Sequence, residues 1–144
     1  MDTIKINKNL IKIKGFIGTF SRDRLPKQMN KSCGLVANTD TSFEPGEHWI
    51  AIYIDENGIG EYFDSYGLPP LHQEFINFLN YNCPNGYFSN FKTLQCLTCV
   101  TCGHYCIAYI KMRSNGLSYD EFIKLFTNNQ LTNDNLIQKY VKLN

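Results

Sequence analysis

The sequence predicts an α+β fold, on three observations. The run Trp49-Ile50-Ala51-Ile52-Tyr53-Ile54 is apolar on both faces and rich in β-branched and aromatic residues, the composition of a strand buried in the middle of a sheet. A hairpin signal, Asp55-Glu56-Asn57-Gly58, follows directly, with Gly60-Glu61-Tyr62-Phe63-Asp64 as the return strand. Four helical stretches fill much of the second half without the strict strand–helix alternation of a parallel α/β fold. The sheet is therefore expected to be mainly antiparallel or mixed and flanked by helices.

The remaining elements follow in chain order. Ile4, Ile6, Ile11 and Ile13 alternate with polar residues, a strand signal. Residues 15–26 read as loop, punctuated by Gly15, Gly18 and Pro26, and Gly34 to Ala37 is a short apolar run. Residues 38–47 form a polar loop containing Pro45 and Gly46, and Leu68-Pro69-Pro70 stops the return strand. Leu71, Phe75, Phe78, Leu79 and Asn82 recur at helical spacing, so a helix is expected over 71–81. Residues 82–90 read as loop around Cys83-Pro84-Asn85-Gly86, and a helix should begin near Cys102. Ser118 with Glu121 has the spacing of a capping box and opens another helix. A last helix is expected from about 133 to 142, with Leu136, Ile137, Tyr140 and Val141 facing inward.

A chain of 144 residues fits one domain, 1–144, and its 43% hydrophobic content is enough for a core. Fourteen Lys and Arg against thirteen Asp and Glu give a net charge of +1, which excludes a broad basic footprint for nucleic acid. No apolar run approaches the ~20 residues of a membrane span, so no membrane partner is expected. Residues 1–14 lack the apolar core of a secretory signal, so the protein is expected not to be secreted, and to be a monomer.

Six cysteines without such a signal point to metal binding or catalysis rather than to disulfides. Cys96, Cys99, Cys102 and Cys106 follow the C-x2-C-x2-C-x3-C spacing of an iron–sulfur run, so an iron–sulfur or zinc-binding module on these four is one reading, with His104 as a further zinc candidate. Against it, Ile107 stands where that run has Pro, and only Cys33 and Cys83 are left to complete a second cluster. Cys96, Cys99 and Cys106 read better as small buried hydrophobes.

A second chemistry fits the residues better. Cys102 precedes Gly103 and an apolar helix, and a helix N-terminus favours thiolate over thiol. His48 stands just before the central strand and Asp64 ends the return strand. A two-residue hairpin loop would turn these two to opposite faces. A three-residue loop, 56–58 with Gly58 left-handed, places Ile50 opposite Asp64 and makes His48 and Asp64 diagonal neighbours roughly 7–8 Å apart at Cα. The three-residue loop, or a bulge of the same effect, is therefore expected. The set then supports nucleophilic catalysis: Cys102 attacks, His48 moves the proton, Asp64 fixes the imidazole, and the Cys102 N–H with the Gln95 amide holds an oxyanion. Cys33, which also precedes a glycine, is a rival nucleophile without a following helix.

The spelling Gly46-Glu47-His48-Trp49-Ile50-Ala51, then Tyr62-Phe63-Asp64-Ser65-Tyr66-Gly67, then Gln95 and Thr101-Cys102-Gly103, resembles the adenovirus-type (adenain) cysteine endopeptidases. Phe16-Ile17-Gly18-Thr19-Phe20, Pro26 and Val36-Ala37-Asn38-Thr39 extend the likeness upstream, so that it covers roughly residues 15–112. The wider resemblance is to the SUMO-protease-like clan and its virophage and Polinton (mavirus-like) relatives. It implies a papain-like fold with the nucleophile at a helix N-terminus, and His48, Asp64, Gln95 and Cys102 as the catalytic set. Adenain has Glu where this chain has Asp64, whereas the SUMO-protease branch has Asp. The resemblance also implies cleavage of viral capsid precursors in the infected cell and virion, with removal of ubiquitin-like modifiers as the alternative. No cofactor is required by this reading. Adenain's activators imply two further partners: a viral peptide joined by a disulfide, for which Cys83 is the candidate, and DNA, which the charge balance does not support. Trp49, beside the base, is a candidate wall of the substrate groove.

Overall fold

The run Trp49–Ile54 is β3, the middle strand of a five-stranded sheet, and all six of its residues are buried. A computed structural model describes residues 1–142. Around β3 lie β1 (Phe16–Ser21), β2 (Cys33–Asn38), β4 (Gly60–Phe63) and β5 (Tyr87–Ser89), in the spatial order β1-β2-β3-β4-β5. The helices are α1 (Thr3–Leu10), α2 (Gln73–Asn82), α3 (Cys102–Ser114), α4 (Tyr119–Ile123) and α5 (Gln130–Tyr140), and a 3₁₀ turn spans Arg22–Arg24. The inner pairs β2/β3 and β3/β4 are antiparallel and the outer pairs β1/β2 and β4/β5 are parallel, so the sheet is mixed.

The double-faced apolar pattern of β3 has a direct structural reason. Trp49, Ala51 and Tyr53 pack into one core with Ile6 and Leu10 of α1 and with Tyr105 to Ile110 of α3. Ile50, Ile52 and Ile54 pack into a second core with Phe75, Phe78 and Leu79 of α2. Each face of the strand thus meets a helix layer, which is why no polar alternation is tolerated. α3 is buried over nearly all its circumference, because α1, α5 and the sheet enclose it.

Several elements depart from the sequence-based expectation. Of the alternating isoleucines at the N-terminus, Ile4 and Ile6 lie in α1, Ile11 caps its C-terminal end and Ile13 follows in a bend, so no strand forms there. Asp2 caps it by accepting from the Lys5 N–H at 2.9 Å, and Ile6 and Leu10, four residues apart, are the pair it buries, while Ile4 and Ile11 face solvent. Residues expected as loop after Gly15 form β1, an edge strand whose parallel pairing with β2 comes from a distant segment. β5 lies in the expected loop 82–90 and is three residues long, too short for any periodic signal. The last helix begins earlier than expected, because Asn129 caps it through the Thr132 N–H, and Leu136 and Tyr140 are exposed while Ile137 and Val141 are buried. Leu71 lies outside α2 and is 69% exposed. The Ser118–Glu121 capping box forms as expected.

The hairpin takes the three-residue loop. Ile54 pairs with Gly60 and Ala51 with Phe63, and the Asp55 N–H donates to the Ile59 carbonyl at 3.0 Å. Gly58 has φ +78°, the left-handed conformation this turn requires.

One ionic group inside the fold has no signature in the sequence. Glu61 of β4 is buried and accepts two hydrogen bonds from Arg113 of α3, at 2.9 and 2.6 Å, and a third from the Tyr109 hydroxyl. The guanidinium also lies over the Tyr53 ring, 4.6 Å from its centroid. Removing one partner of such a pair leaves a buried charge uncompensated. Arg113→Ala is therefore expected to lower stability by about 3–5 kcal/mol in urea denaturation. A loss within about 1 kcal/mol, the size of an exposed pair, would contradict this account.

Candidate active site

β3 and β4 end at the same rim of the sheet, and the register carries Asp64 to the position opposite Ile50. There Asp64 Oδ1 meets His48 Nε2 at 2.7 Å, and the carboxylate is buried. With Nε2 committed to Asp64, Nδ1 is the nitrogen left to serve Cys102, which lies near enough to the ring for each group to shift the other's pKa. Cys102 is the first residue of α3 and is 8% exposed. The backbone N–H groups of Trp49 and Gly103 lie where they favour its thiolate.

The charges in this group reinforce one another. Burial works against a charged His48 ring, but its hydrogen bonds to Asp64 and Cys102, and the charges of both, outweigh it and raise the ring's pKa to about 9. Burial likewise opposes a Cys102 thiolate, yet the His48 hydrogen bond, the Trp49 N–H, the charge on His48 and the Gly103 N–H bring the thiol below its ordinary value. Both shifts favour the same state, thiolate beside imidazolium.

Local geometry holds the acid in place. The Asp64 N–H donates to Asn90 Oδ1 at 2.9 Å, and Asn90 Nδ2 donates back to the Asp64 carbonyl at 2.6 Å. Asp64 Oδ1 also accepts from the Tyr66 N–H at 2.8 Å, and the Tyr66 ring stacks on His48 with centroids 4.6 Å apart. Gly67 closes this turn with φ +75°, where a Cβ would lie 2.9 Å from the Lys92 backbone. Neither Asn90 nor Tyr66 was singled out by residue type. An Asn in a loop has no distinguishing neighbours in sequence, whereas Tyr66 lies within the Asp64-Ser65-Tyr66-Gly67 spelling and could have been weighed there.

Gln95 is tied to the same turn. The Ser65 carbonyl accepts from the N–H groups of Leu94 and Gln95 at 2.9 and 3.1 Å, and the Ser65 hydroxyl donates to Gln95 Oε1 at 2.5 Å. Gln95 Nε2, the donor that an oxyanion would need, instead donates to the Cys99 carbonyl at 2.7 Å. Two cavities border the group. One of about 230 Å³ is lined by His48, Asp64, Tyr66, Leu68, Leu71 and His72. The other, of about 680 Å³, is lined by Tyr66, Leu68, Thr93, Gln95, Cys96 and Leu97.

Four other candidates sit differently from expectation. The Trp49 side chain is buried in the core, with its Nε1–H donating to the Met1 carbonyl at 2.9 Å, so little of it is left to wall a groove. Cys83 is buried against Gly60, and burial pushes its thiol up to about 11, so it does not offer the exposed thiolate that joining a peptide by a disulfide requires. Cys33 pairs with Ile54 at the opposite end of β2 from the His48 rim, which removes it as a rival nucleophile. The four-cysteine cluster does not form. Cys102 is engaged with His48, Cys106 is fully buried one helical turn on, and among the described residues the thiols that converge are Cys96 and Cys99, with Asp134 and without His104. Cys96 and Cys99 are accordingly half-exposed, not the small core hydrophobes expected of them.

No helix among the described residues is long and apolar enough to cross a membrane. No family model matches the chain. It is similar to the cysteine protease S273R of African swine fever virus, 29% identical over 126 residues, which cover 76% of this chain and 44% of that protein. In another isolate of the virus the relative is named SUMO-1 cysteine protease S273R, and is 28% identical over 80% of this chain and 46% of its own length. The chain thus spans about half the length of the curated relatives it matches. The crystal structure of the African swine fever virus pS273R protease superposes with a TM-score of 0.67 at 22% identity, covering 92% of this chain and 63% of that one. The mixed five-stranded sheet flanked by helices therefore has the fold of that cysteine protease.

Proposed function

We propose that this chain is a cysteine endopeptidase, with Cys102 as nucleophile, His48 as general acid and base, Asp64 as the carboxylate that orients His48, and Gln95 as an oxyanion donor. The observation that carries this reading is the His48 ring bound by Asp64 at 2.7 Å through one nitrogen, with Cys102 close enough for the two groups to shift each other's pKa toward thiolate and imidazolium. The resemblance to adenain-type enzymes and the likeness to proteins named cysteine proteases support it independently.

In this mechanism the Cys102 sulfur attacks the scissile carbonyl carbon, and the C–O π electrons move to oxygen. The N–H of Cys102, among the first of α3 and without an intrahelical acceptor, meets that oxygen. The Gln95 amide joins it once it has left the Cys99 carbonyl. Imidazolium His48 gives its proton to the leaving amine as the C–N bond breaks. Water, deprotonated by His48, then cleaves the thioester and releases the acid.

For the substrate we infer a protein precursor of the viral structural kind, processed in the infected cell and the virion, in line with the adenain-type resemblance. A second reading, removal of a ubiquitin-like modifier, is favoured by the SUMO-1 protease name of a relative and by Asp rather than Glu at position 64. Mass spectrometry of new termini separates the two. Structural precursors and modifier conjugates are incubated with wild-type and Cys102→Ala protein, and cleavage of the conjugates alone would overturn the first reading.

Iodoacetamide is expected to label Cys102 ahead of the other thiols, with labelling at pH 6 strongly suppressed by His48→Ala. Equal labelling in that variant would remove the proposed base. Gln95→Ala should lower kcat by about 100- to 1000-fold if the amide serves the oxyanion. The pH profile tests Asp64. The raised His48 pKa places the alkaline limb of kcat/KM near 9. Asp64→Asn removes a negative charge that favours imidazolium, so the limb should move toward neutral pH. In the wild type this interaction stabilises the fold fully below about 6.5 and is lost as pH rises through 9. An unmoved limb in Asp64→Asn would sink the assigned role.

A further inference from the structure

We propose that Cys96, Cys99 and Asp134 form a binding site for one thiophilic divalent cation of the Zn²⁺ class, which pins the loop between Gln95 and Cys102. The site is independent of the peptidase reading and stands or falls separately from it.

Three ligand-bearing side chains converge at one point of the loop. One ligand atom from each of the three residues lies within 4.8 Å of the others. Ligands on one tetrahedral Zn²⁺, at about 2.3 Å for sulfur and 2.1 Å for oxygen, lie roughly 3.5–4 Å apart, so closure needs little movement. The Cys-x2-Cys spacing supplies two soft ligands from one short loop, the arrangement that recurs in structural zinc sites. The third ligand is held from behind. Asp134 is buried on α5, and its Oδ1 accepts from the Tyr105 hydroxyl at 2.7 Å and from Thr101 Oγ1 at 3.0 Å. These outer bonds leave Oδ2 toward the cysteines, where its named contact is the Cys96 N–H at 3.2 Å. Carboxylates that bind metals are oriented by such partners. Cys96 lines the cavity of about 680 Å³, through which water can reach the fourth position.

Binding of a divalent ion releases two protons as the Cys96 and Cys99 thiolates form. The class of ion follows from the donors: two thiolates and one carboxylate select Zn²⁺ over Mg²⁺ or Ca²⁺, which prefer oxygen.

The test uses the full chain carrying Cys102→Ala, so that no signal comes from the sulfur beside His48, in a phosphine reductant that keeps the thiols reduced. Titration with Co²⁺ is expected to saturate at one equivalent. Thiolate-to-cobalt charge-transfer absorption and intense tetrahedral d–d bands should appear, and Zn²⁺ should displace them. Adding Cys96→Ser or Cys99→Ser should weaken Co²⁺ binding by at least about tenfold and roughly halve the charge-transfer intensity. Cys96 is half-exposed, so its variant is the one expected to fold normally, with circular dichroism as the control. Absence of saturable binding in the Cys102→Ala chain, or an unchanged spectrum in both serine variants, would overturn the site.

Discussion

Asp55, at the head of the β3–β4 turn, determines which side chains of β4 share a face with His48. Its carboxylate accepts the N–H groups of Asn57 and Ile59, each at 2.9 Å, and this closes a loop of three residues instead of two. Because strand side chains alternate with a period of two, one residue fewer would send Asp64 to the opposite face. The hydrogen bond between His48 and Asp64 thus depends on a turn headed by a residue seven positions from His48 and nine from Asp64. The inner pairing fixes the rest: β2 and β3 are in register from Cys33–Ile54 to Asn38–Trp49, so the rim carrying His48 cannot slide independently.

From that rim outward, each group is set by the one before it. Asn90 clamps the Asp64 backbone from both sides, and the turn through Ser65 to Gly67 then receives the N–H groups of Leu94 and Gln95. The carboxylate and the amide therefore belong to one rigid unit. Cys102 arrives from a different layer, on a helix buried against the opposite face of the sheet. A buried helix start costs unpaired N–H groups. Here an anionic sulfur at that position is favoured by the same groups that would otherwise go unsatisfied.

Much of this was legible in the residues, and the exceptions have physical causes. The central strand, the hairpin register, the helix at Cys102 and the Ser118 box were readable because each is specified by a pattern within about ten residues. α1 was misread because Ile6 and Leu10 satisfy helical spacing while Ile4, Ile6, Ile11 and Ile13 also alternate, and the Asp2 cap decides between the two. β1 and β5 are outer strands whose pairing partners are supplied by distant segments, so their own residues carry little signal. Asn90 and Asp134 were invisible for the same reason: each works through contacts more than 25 residues away in sequence. The iron–sulfur spacing carries no cluster because spacing alone does not state which way a helix faces. Cys106, one turn beyond Cys102, points into the core.

The loop from Cys96 to Thr101 connects the proposed active site with the Asp134 cluster. It separates the proposed oxyanion donor from the proposed nucleophile, and both of its ends are tied: Gln95 to the Asp64 turn, and Thr101 to Asp134 at 3.0 Å. In between, Leu97 and Val100 are exposed, and the Gln95 amide is bound to the Cys99 carbonyl. A segment with solvent-facing apolar side chains and few core contacts is drawn from the low-stability end of a fold. In the proposed mechanism its position, more than its own burial, decides whether the Gln95 amide is free to meet a substrate oxygen. Whatever holds Cys99 also holds that carbonyl, so the Asp134 side of the loop would bear on the proposed chemistry at Cys102 without touching a substrate.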